Sequence, residues 1–378
     1  MKILFFTPYF HPYISGISVY SKLFLNELKQ KHEIELLTFK HDSKLPSVDD
    51  VDRLKIYRMN FLFRISKGFV SPQSWLFFLK KIRDKNLIII NLPSVEAIPL
   101  VLLAKLLGVK VLAIFYCNID LGPSLIERLL SFLVNSLVKF QLLLADSYLV
   151  FSKDYIASLK WSKKLVDKAT YVKPLINQAK PDVSFLNKLV LKKKNQHWIG
   201  FVGRISREKG LDYLIDAIKN LSDYQQYTLV IVGPKGKEVA GENKYYLDLL
   251  NKIKKNKINC LFLGILSNEE LFAFYQTIDL LALPSINSTE AYGLVQWEAM
   301  SVATPIVASD LPGVREAMQK FKMGELVPAK NAHALSEAIF RVKDLKTNRD
   351  FIKQAKKAQA FINNKQSAQV LDQIFEQL

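Results

Sequence analysis

Apolar and polar positions along this chain follow two alternating rhythms. Near-continuous apolar runs at residues 3–7, 34–38, 87–91, 109–115 and 148–151, rich in Ile, Leu, Val and Phe, have the length of strands. Between them lie stretches with helical spacing, at 19–29, 95–107 and 124–144. Strands apolar at nearly every position, separated by helices, are those of a parallel sheet covered on both faces. A polar, lysine-rich stretch at 177–196 interrupts the pattern, which then restarts. Strands are predicted at 198–202, 228–232, 260–263, 279–283 and 305–308. Helices are predicted from Gly210, near 245–255, at 268–277 and after Gly293. The expected fold class is α/β, with two doubly wound Rossmann-like domains facing across a cleft, because such sheets bind ligands at the carboxyl ends of their strands. The expected division is a first domain over 1–180, a second over 181–355, and a last helix within 356–378. That helix carries Leu371, Ile374, Phe375 and Leu378 on one face and is expected to pack on the first domain.

Composition changes this picture little. A length of 378 residues suits two domains, and 49% hydrophobic with 23% charged residues is globular. Cys117 and Cys260 sit in apolar contexts and suggest a reducing compartment rather than a disulfide framework. The opening apolar run is too short for a signal peptide, and no uncharged apolar run reaches membrane-spanning length, so neither is expected.

Charge changes it more. A net charge of +18 calls for an anionic partner: nucleic acid, an anionic small substrate, or the acidic face of a membrane. The cations are mostly lysines, and no arginine-and-aromatic module appears, so nucleic acid is not the expected partner. Residues 124–144 carry Leu125, Leu129, Phe132, Leu133, Leu137 and Phe140 among few charges, followed by a basic stretch at 160–168. That segment reads either as a helix buried in the first domain or as one lying on an anionic bilayer.

Three strand-end loops of the second half hold candidate chemistry. In the first, Gly203 ends a strand, Arg204 and Lys209 stand in the loop, and Gly210 opens a helix. A helix N-terminus with an Arg fork and a Lys point charge suits a diphosphate; the alternative is a solvated loop whose cations pair with Glu208 or Asp212. In the second, Glu290 and Glu298 flank Tyr292, Gly293 and Leu294 after the strand-ending Pro284 and Ser285. Eight residues of helix span at most ~12 Å, about the distance from a sugar across a diphosphate to a ribose. Carboxylates repel phosphate but accept from hydroxyls, so this pair fits a ligand with hydroxyls at both ends and negative charge in the middle. The third loop, around Gly313 and Glu316, reads as a structural turn. Asp50 and Asp52 have Asp-x-Asp spacing in a polar loop, and no metal site is expected.

The stretches FVGRISREKG, PSINSTEAYGLVQWEAM and ATPIVASDLPGVREAM, with FFTPYFHPYISGISVYS near the start, resemble glycosyltransferase family 4. The resemblance runs in order over nearly the whole chain and is strongest from 198 to 318. It implies the GT-B fold and retaining transfer of a sugar from a nucleoside-diphosphate donor, without a bound metal or other cofactor. Carried over, it gives Arg204 and Lys209 the donor diphosphate and Glu290 the transferred sugar. Gly203 and the backbone of Tyr292, Gly293 and Leu294 would lie against the donor, and Glu298 would bind the ribose. Gly16 matches the second glycine of the family's Gly-Gly loop, which approaches the donor phosphate and the acceptor. There are departures: Ser15 replaces the first glycine, Ala303 a helix-ending glycine, and Pro312 the first of two glycines. Tyr116 stands where many members have a histidine. Tyr116, Asn118 and His11 are candidate contacts to donor sugar or acceptor, with packing the alternative for Tyr116 and simple exposure that for His11.

The implied activity is hexosyl transfer to a hydroxyl of a saccharide acceptor. Bilayer docking of 124–144 would make that acceptor lipid-linked, as in surface polysaccharide or glycolipid assembly, and the protein cytoplasmic, peripheral on the inner face of the cell membrane. The alternative is a catalytically silent nucleotide-sugar-binding or partner subunit.

Overall fold

The structure, a computed structural model, describes residues 1–65, 68–159, 161, 163–239, 241–362 and 364–377. The chain divides into two units, Met1–Leu175 with Lys365–Leu378, and Ile176–Asn364. Each unit is built on its own sheet with helices between the strands, and the fold is GT-B, α/β with two Rossmann-like units.

The first unit contains β1 (Lys2–Phe6), β2 (Glu33–Phe39), β3 (Val48–Val51), β4 (Leu54–Met59), the small hairpin β5 (Phe63–Ile65) and β6 (Gly68–Val70), β7 (Leu87–Leu92), β8 (Lys110–Phe115), β9 (Ser147–Val150) and β10 (Ala169–Tyr171). Its main sheet has the order β10-β9-β8-β7-β1-β2-β4-β3, parallel except at the β3 edge. Every side chain of β7 is buried, which is why LIIINL is apolar at all but one position rather than at alternate ones. The order reverses between β1 and β7, and the loops that follow them diverge there.

The second unit contains β11 (His197–Val202), β12 (Tyr227–Val232), β13 (Asn259–Gly264), β14 (Leu280–Leu283), β15 (Ile306–Ser309) and β16 (Gly324–Val327). Its sheet is wholly parallel, in the order β13-β12-β11-β14-β15-β16. Here the reversal falls between β11 and β14. A doubly wound sheet opens a ligand crevice at such a reversal, so the loops after β11 and β14 are the ones to inspect.

The polar stretch at 177–196 is not a plain linker. It holds a helix, Val183–Lys193, started by the Asp182 carboxylate accepting from the backbone N–H of Phe185. Only Leu189 of that helix is buried, so its sequence reads as polar. The last residues form a helix, Asn364–Gln377, on the first unit. Phe375 stacks on His32 and lies near Phe24, and Lys31 pairs with Asp372 at 2.6 Å. Leu378 lies outside the described residues.

The helix Leu125–Leu144 resolves one open alternative. Its N-terminus is fixed by reciprocal hydrogen bonds between Ser124 and Glu127, and it buries only Val138, Gln141 and Leu142. Leu125 is 83% exposed, Ile126 73%, Leu129 59% and Phe132 66%, and Leu130, Leu133, Leu137, Phe140 and Leu143 are exposed as well. The expectation of a buried helix is therefore wrong for most of its apolar residues. The bundle of sheet and helices needs only one narrow edge of it. Among the described residues no helix is long and apolar enough to cross a membrane.

Two departures from the expected glycines have different outcomes. Ser15 has an extended backbone, φ −153°, and its hydroxyl caps the helix Gly16–Leu28, so no positive φ is asked of it. Ala303 does take the left-handed conformation, φ +58°, as it ends the helix Leu294–Ser301. A left-handed alanine costs ~1 kcal/mol or more. Ala303→Gly is expected to stabilise the protein by about 1 kcal/mol, read as a rise in denaturation midpoint with unchanged slope; no rise would show that the turn carries no strain.

Candidate functional site

The loops after β11 and β14 are locked together at their backbones. After Gly203 the chain bonds to the loop that follows its neighbour strand β12, Ile205 N–H to the carbonyl of Pro234 at 3.0 Å. It then makes one tight turn, Arg207–Lys209, and enters the helix Leu211–Lys219 through Gly210 at φ +65°. A Cβ at Gly210 would lie 2.1 Å from the carbonyl oxygen of Pro284, so only glycine fits. On the far side of the same contact, Ile286 N–H donates to the carbonyl of Glu208 at 3.0 Å.

This approach brings the predicted charges into contact. Lys209 Nζ lies 2.5 Å from Glu290 Oε2, and the buried Ser285 hydroxyl donates to the same oxygen at 3.0 Å. Both charged side chains are largely shielded from water. Arg204 pairs with Glu208 at 3.3 Å, while Asp212, the other carboxylate considered for it, accepts from the Tyr245 hydroxyl. Both cations that the resemblance assigns to a diphosphate thus have a carboxylate partner. Gly293, at φ +68°, starts the helix Leu294–Ser301, whose first turn has no side-chain cap and no acid. Its amide groups are left as a partial positive end. Gln296 anchors that turn by donating to the carbonyls of Tyr292 and Val314, and the Tyr292 ring stacks on Trp297.

Glu298 sits one turn further on, buried, where it accepts from the Tyr275 hydroxyl at 2.8 Å. Burial pushes its carboxyl up to about 7, against a smaller opposite pull from the Tyr275 hydrogen bond. Spacing did not reveal Ser285 or Tyr275 as partners of the two glutamates. Tyr275 left one signal: a phenol in a helix this apolar needs a partner once buried.

In the first unit the candidates lie in the segments that follow β1 and β8. Gly16 is exposed at the start of its helix, with open space where a Cβ would be. His11 is exposed; burial of its ring edge, then Lys22 and Arg58, depress its basicity. Tyr116 points its hydroxyl at Asn91 Oδ1, 3.3 Å away, and its ring lies against Tyr20 and Phe151. Asn118 N–H donates to the Tyr155 hydroxyl, while its side-chain oxygen is buried with no partner among the described residues. Asp50 and Asp52 join no cluster of metal-ligating groups, and the described residues contain no such cluster.

Residues 184–358 match the family described as "Glycosyl transferases group 1". D-inositol 3-phosphate glycosyltransferase of Corynebacterium urealyticum is 34% identical over 145 residues, 37% of this chain and 33% of that protein. The chain spans about a third of the length of the curated relatives it matches. Among solved structures, sucrose-phosphate synthase from Thermosynechococcus elongatus aligns over 100% of this chain and 98% of its own, with TM-score 0.81 and 20% identity. Anabaena HepE in complex with UDP-glucose aligns over 100% of both chains, with TM-score 0.78 and 18% identity.

The buried Glu298 has a cost that depends on pH. Its carboxyl holds a proton more tightly folded than unfolded, so its contribution is most favourable below about 4.5 and is lost as pH rises through about 7. Glu298→Gln is therefore expected to stabilise the protein by roughly 2–3 kcal/mol at pH 8, the gain shrinking to nothing near pH 4.5. Thermal melts of both proteins across that range test it. A gap that does not change with pH would mean that Glu298 is not held in its protonated form.

Proposed function

We propose that this chain is a retaining hexosyltransferase, moving a sugar from a nucleoside-diphosphate donor to a hydroxyl of a saccharide acceptor. The observation that carries the reading is the meeting of Lys209 and Glu290 at the sheet reversal of the second unit, with Arg204 in the same loop. A cation and a carboxylate in contact suit a ligand whose diphosphate and hydroxyls alternate over a few ångströms. Donor binding is an exchange of partners: Lys209 turns from Glu290 to phosphate, and Glu290, steadied by Ser285, accepts from the sugar hydroxyls. Arg204 leaves Glu208 for the same diphosphate. The amide groups beyond Gly293 face the phosphate, and Glu298 receives the ribose diol.

In transfer, the bond between the anomeric carbon and the diphosphate oxygen breaks as the acceptor oxygen bonds to that carbon from the same face. The acceptor's proton passes to the departing phosphate. Negative charge grows on the leaving group, where Arg204, Lys209 and the helix end are aimed. Neither metal nor cofactor enters this scheme. In the first unit, Gly16, His11 and the free oxygen of Asn118 are assigned to recognition of substrate, and Tyr116 to holding Asn91.

We further propose a lipid-linked acceptor and a protein peripheral on the inner face of the cell membrane, acting in surface polysaccharide or glycolipid assembly. The exposed apolar face of Leu125–Leu144 supports this. At 100° per residue, Arg128 and Lys139 fall together along one edge of that face, as in helices that lie in a bilayer surface. Lys168 caps the helix C-terminus, with Lys105 and Lys164 close enough to lower its basicity after burial does so. Within the basic stretch 160–168, Lys160 and Ser162 lie outside the described residues.

Two measurements test these readings. In a thermal-shift screen of nucleoside diphosphates and their sugar conjugates, one base is expected to raise the melting temperature. Lys209→Ala should abolish that rise and lower turnover by roughly 10²–10³-fold. Silence across the panel from folded protein would favour a partner or binding role without transfer. In co-sedimentation with vesicles containing phosphatidylglycerol, the wild type should bind and the exposed-site double variant Leu129→Glu, Phe132→Glu should bind roughly tenfold less, with its melting temperature kept. Equal binding by both would remove the helix from the membrane reading.

A further inference from the structure

Glu298 does not stand alone at the end of the donor site. It projects from Leu294–Ser301 toward a second helix, Asn268–Thr277, and both side chains at that contact are buried. Tyr275 comes from the second helix with its ring against Phe272 and Phe274, and Thr304 hydrogen-bonds its backbone carbonyl. A phenol fixed in this way has one direction for its hydroxyl, and that direction ends on Glu298 Oε2 at 2.8 Å. No hydrogen bond from a described residue reaches Oε1. The two oxygens are therefore unequal: one is occupied from inside the protein and one is left open.

We propose that Tyr275 is a positioning residue for nucleotide recognition, whose hydroxyl occupies one oxygen of Glu298 and so orients the other to receive a ribose diol. This rests on the reading that Glu298 binds the ribose. It goes beyond that reading in assigning a role to a side chain that no ligand need touch. A carboxylate accepts two hydroxyls well only when ionised. Burial disfavours that state and the Tyr275 hydroxyl favours it. Removing the hydroxyl should thus weaken ribose binding most where the carboxyl is partly protonated, and least where pH alone ionises it.

The surroundings leave Tyr275 as the group that sets this balance. From Asn268–Thr277, Tyr275 is what meets the carboxylate, since Glu269 and Glu270 lie in the opposite, first turn, where Glu270 is bonded to Ser267. β14 contributes no ionisable side chain. Arg349–Phe361 also packs on the Glu298 helix, and its Arg349, Asp350, Lys353, Lys356 and Lys357 leave no charge effect on Glu298 beyond burial and the tyrosine.

The test is calorimetric binding of UDP-glucose and GDP-mannose to the full chain from about pH 6 to about pH 8.5. These diphosphate diesters do not themselves titrate there. For whichever binds, wild-type affinity should rise with pH, approaching tenfold per unit below a midpoint, and then level off. Tyr275→Phe should move that midpoint up by about one unit, costing roughly five- to tenfold in affinity near pH 7 and little at the alkaline end. It should also narrow the preference for the ribose nucleotide over its 2′-deoxy counterpart. Glu298→Gln should bind weakly with no pH dependence. Tyr275→Met, flexible, apolar and without a hydroxyl, gives the same reading should the phenylalanine variant fold poorly. An unmoved midpoint in folded Tyr275 variants would overturn the inference and leave the donor-site reading standing. Failure of both nucleotide sugars to bind wild-type protein would overturn both.

Discussion

The second unit's site depends on one close approach, that of Gly210 to the carbonyl of Pro284. Side chains reach only a few ångströms from their backbones, so Lys209 and Glu290, 81 positions apart, meet because the two loops run in contact beneath them. The sheet order makes the approach possible. β11 and β14 are neighbours although two strands intervene in sequence, and the chain leaves them toward opposite halves of the sheet. Glycine at 210 then removes the one methyl group that would hold the loops apart. The Ile286–Glu208 backbone hydrogen bond closes the far side, so the contact is fixed at both ends.

On that frame the electrostatics are arranged in pairs. Arg204 and Lys209 each have a carboxylate within ion-pair distance, which offsets the repulsion of two neighbouring cations. Glu298 has no such cation and is held by a phenol instead. The three acids therefore differ in kind: two balance positive charge and one is a buried acceptor near neutrality.

Much of the architecture was legible because the physics behind it is local. Runs apolar at all but one position, such as 87–91 and 109–115, read as doubly covered strands, and the helix expected at 268–277 has those bounds. What escaped was set by tertiary surroundings. Val183–Lys193 looked like a linker because a helix that buries one leucine has almost no apolar stripe. The edge pair β3 and β4 and the helix Ser74–Ile82 sit in a stretch whose sequence alternates too weakly to announce them. In the site, Arg204, Lys209 and the two glutamates were visible as charges beside turn glycines. Ser285 and Tyr275 were not, since a hydroxyl gains its meaning from the carboxylate it faces, and that pairing is made across five residues of loop in one case and between two helices in the other.

The return of Asn364–Gln377 to the first unit bears on how the protein is made. The place that Phe375 fills, beside Phe24 and His32, belongs to residues synthesised before the whole of the second unit. Between Leu175 and Lys365 the ribosome must make the entire second unit, an interval of about 10–40 s at ordinary elongation rates. Throughout it the first unit waits with an apolar groove uncovered, while the second has every residue of its own and is free to fold. Completion of the first unit thus waits on residues made after the whole of the second, and a chain cut before Asn364 would leave the first unit unfinished.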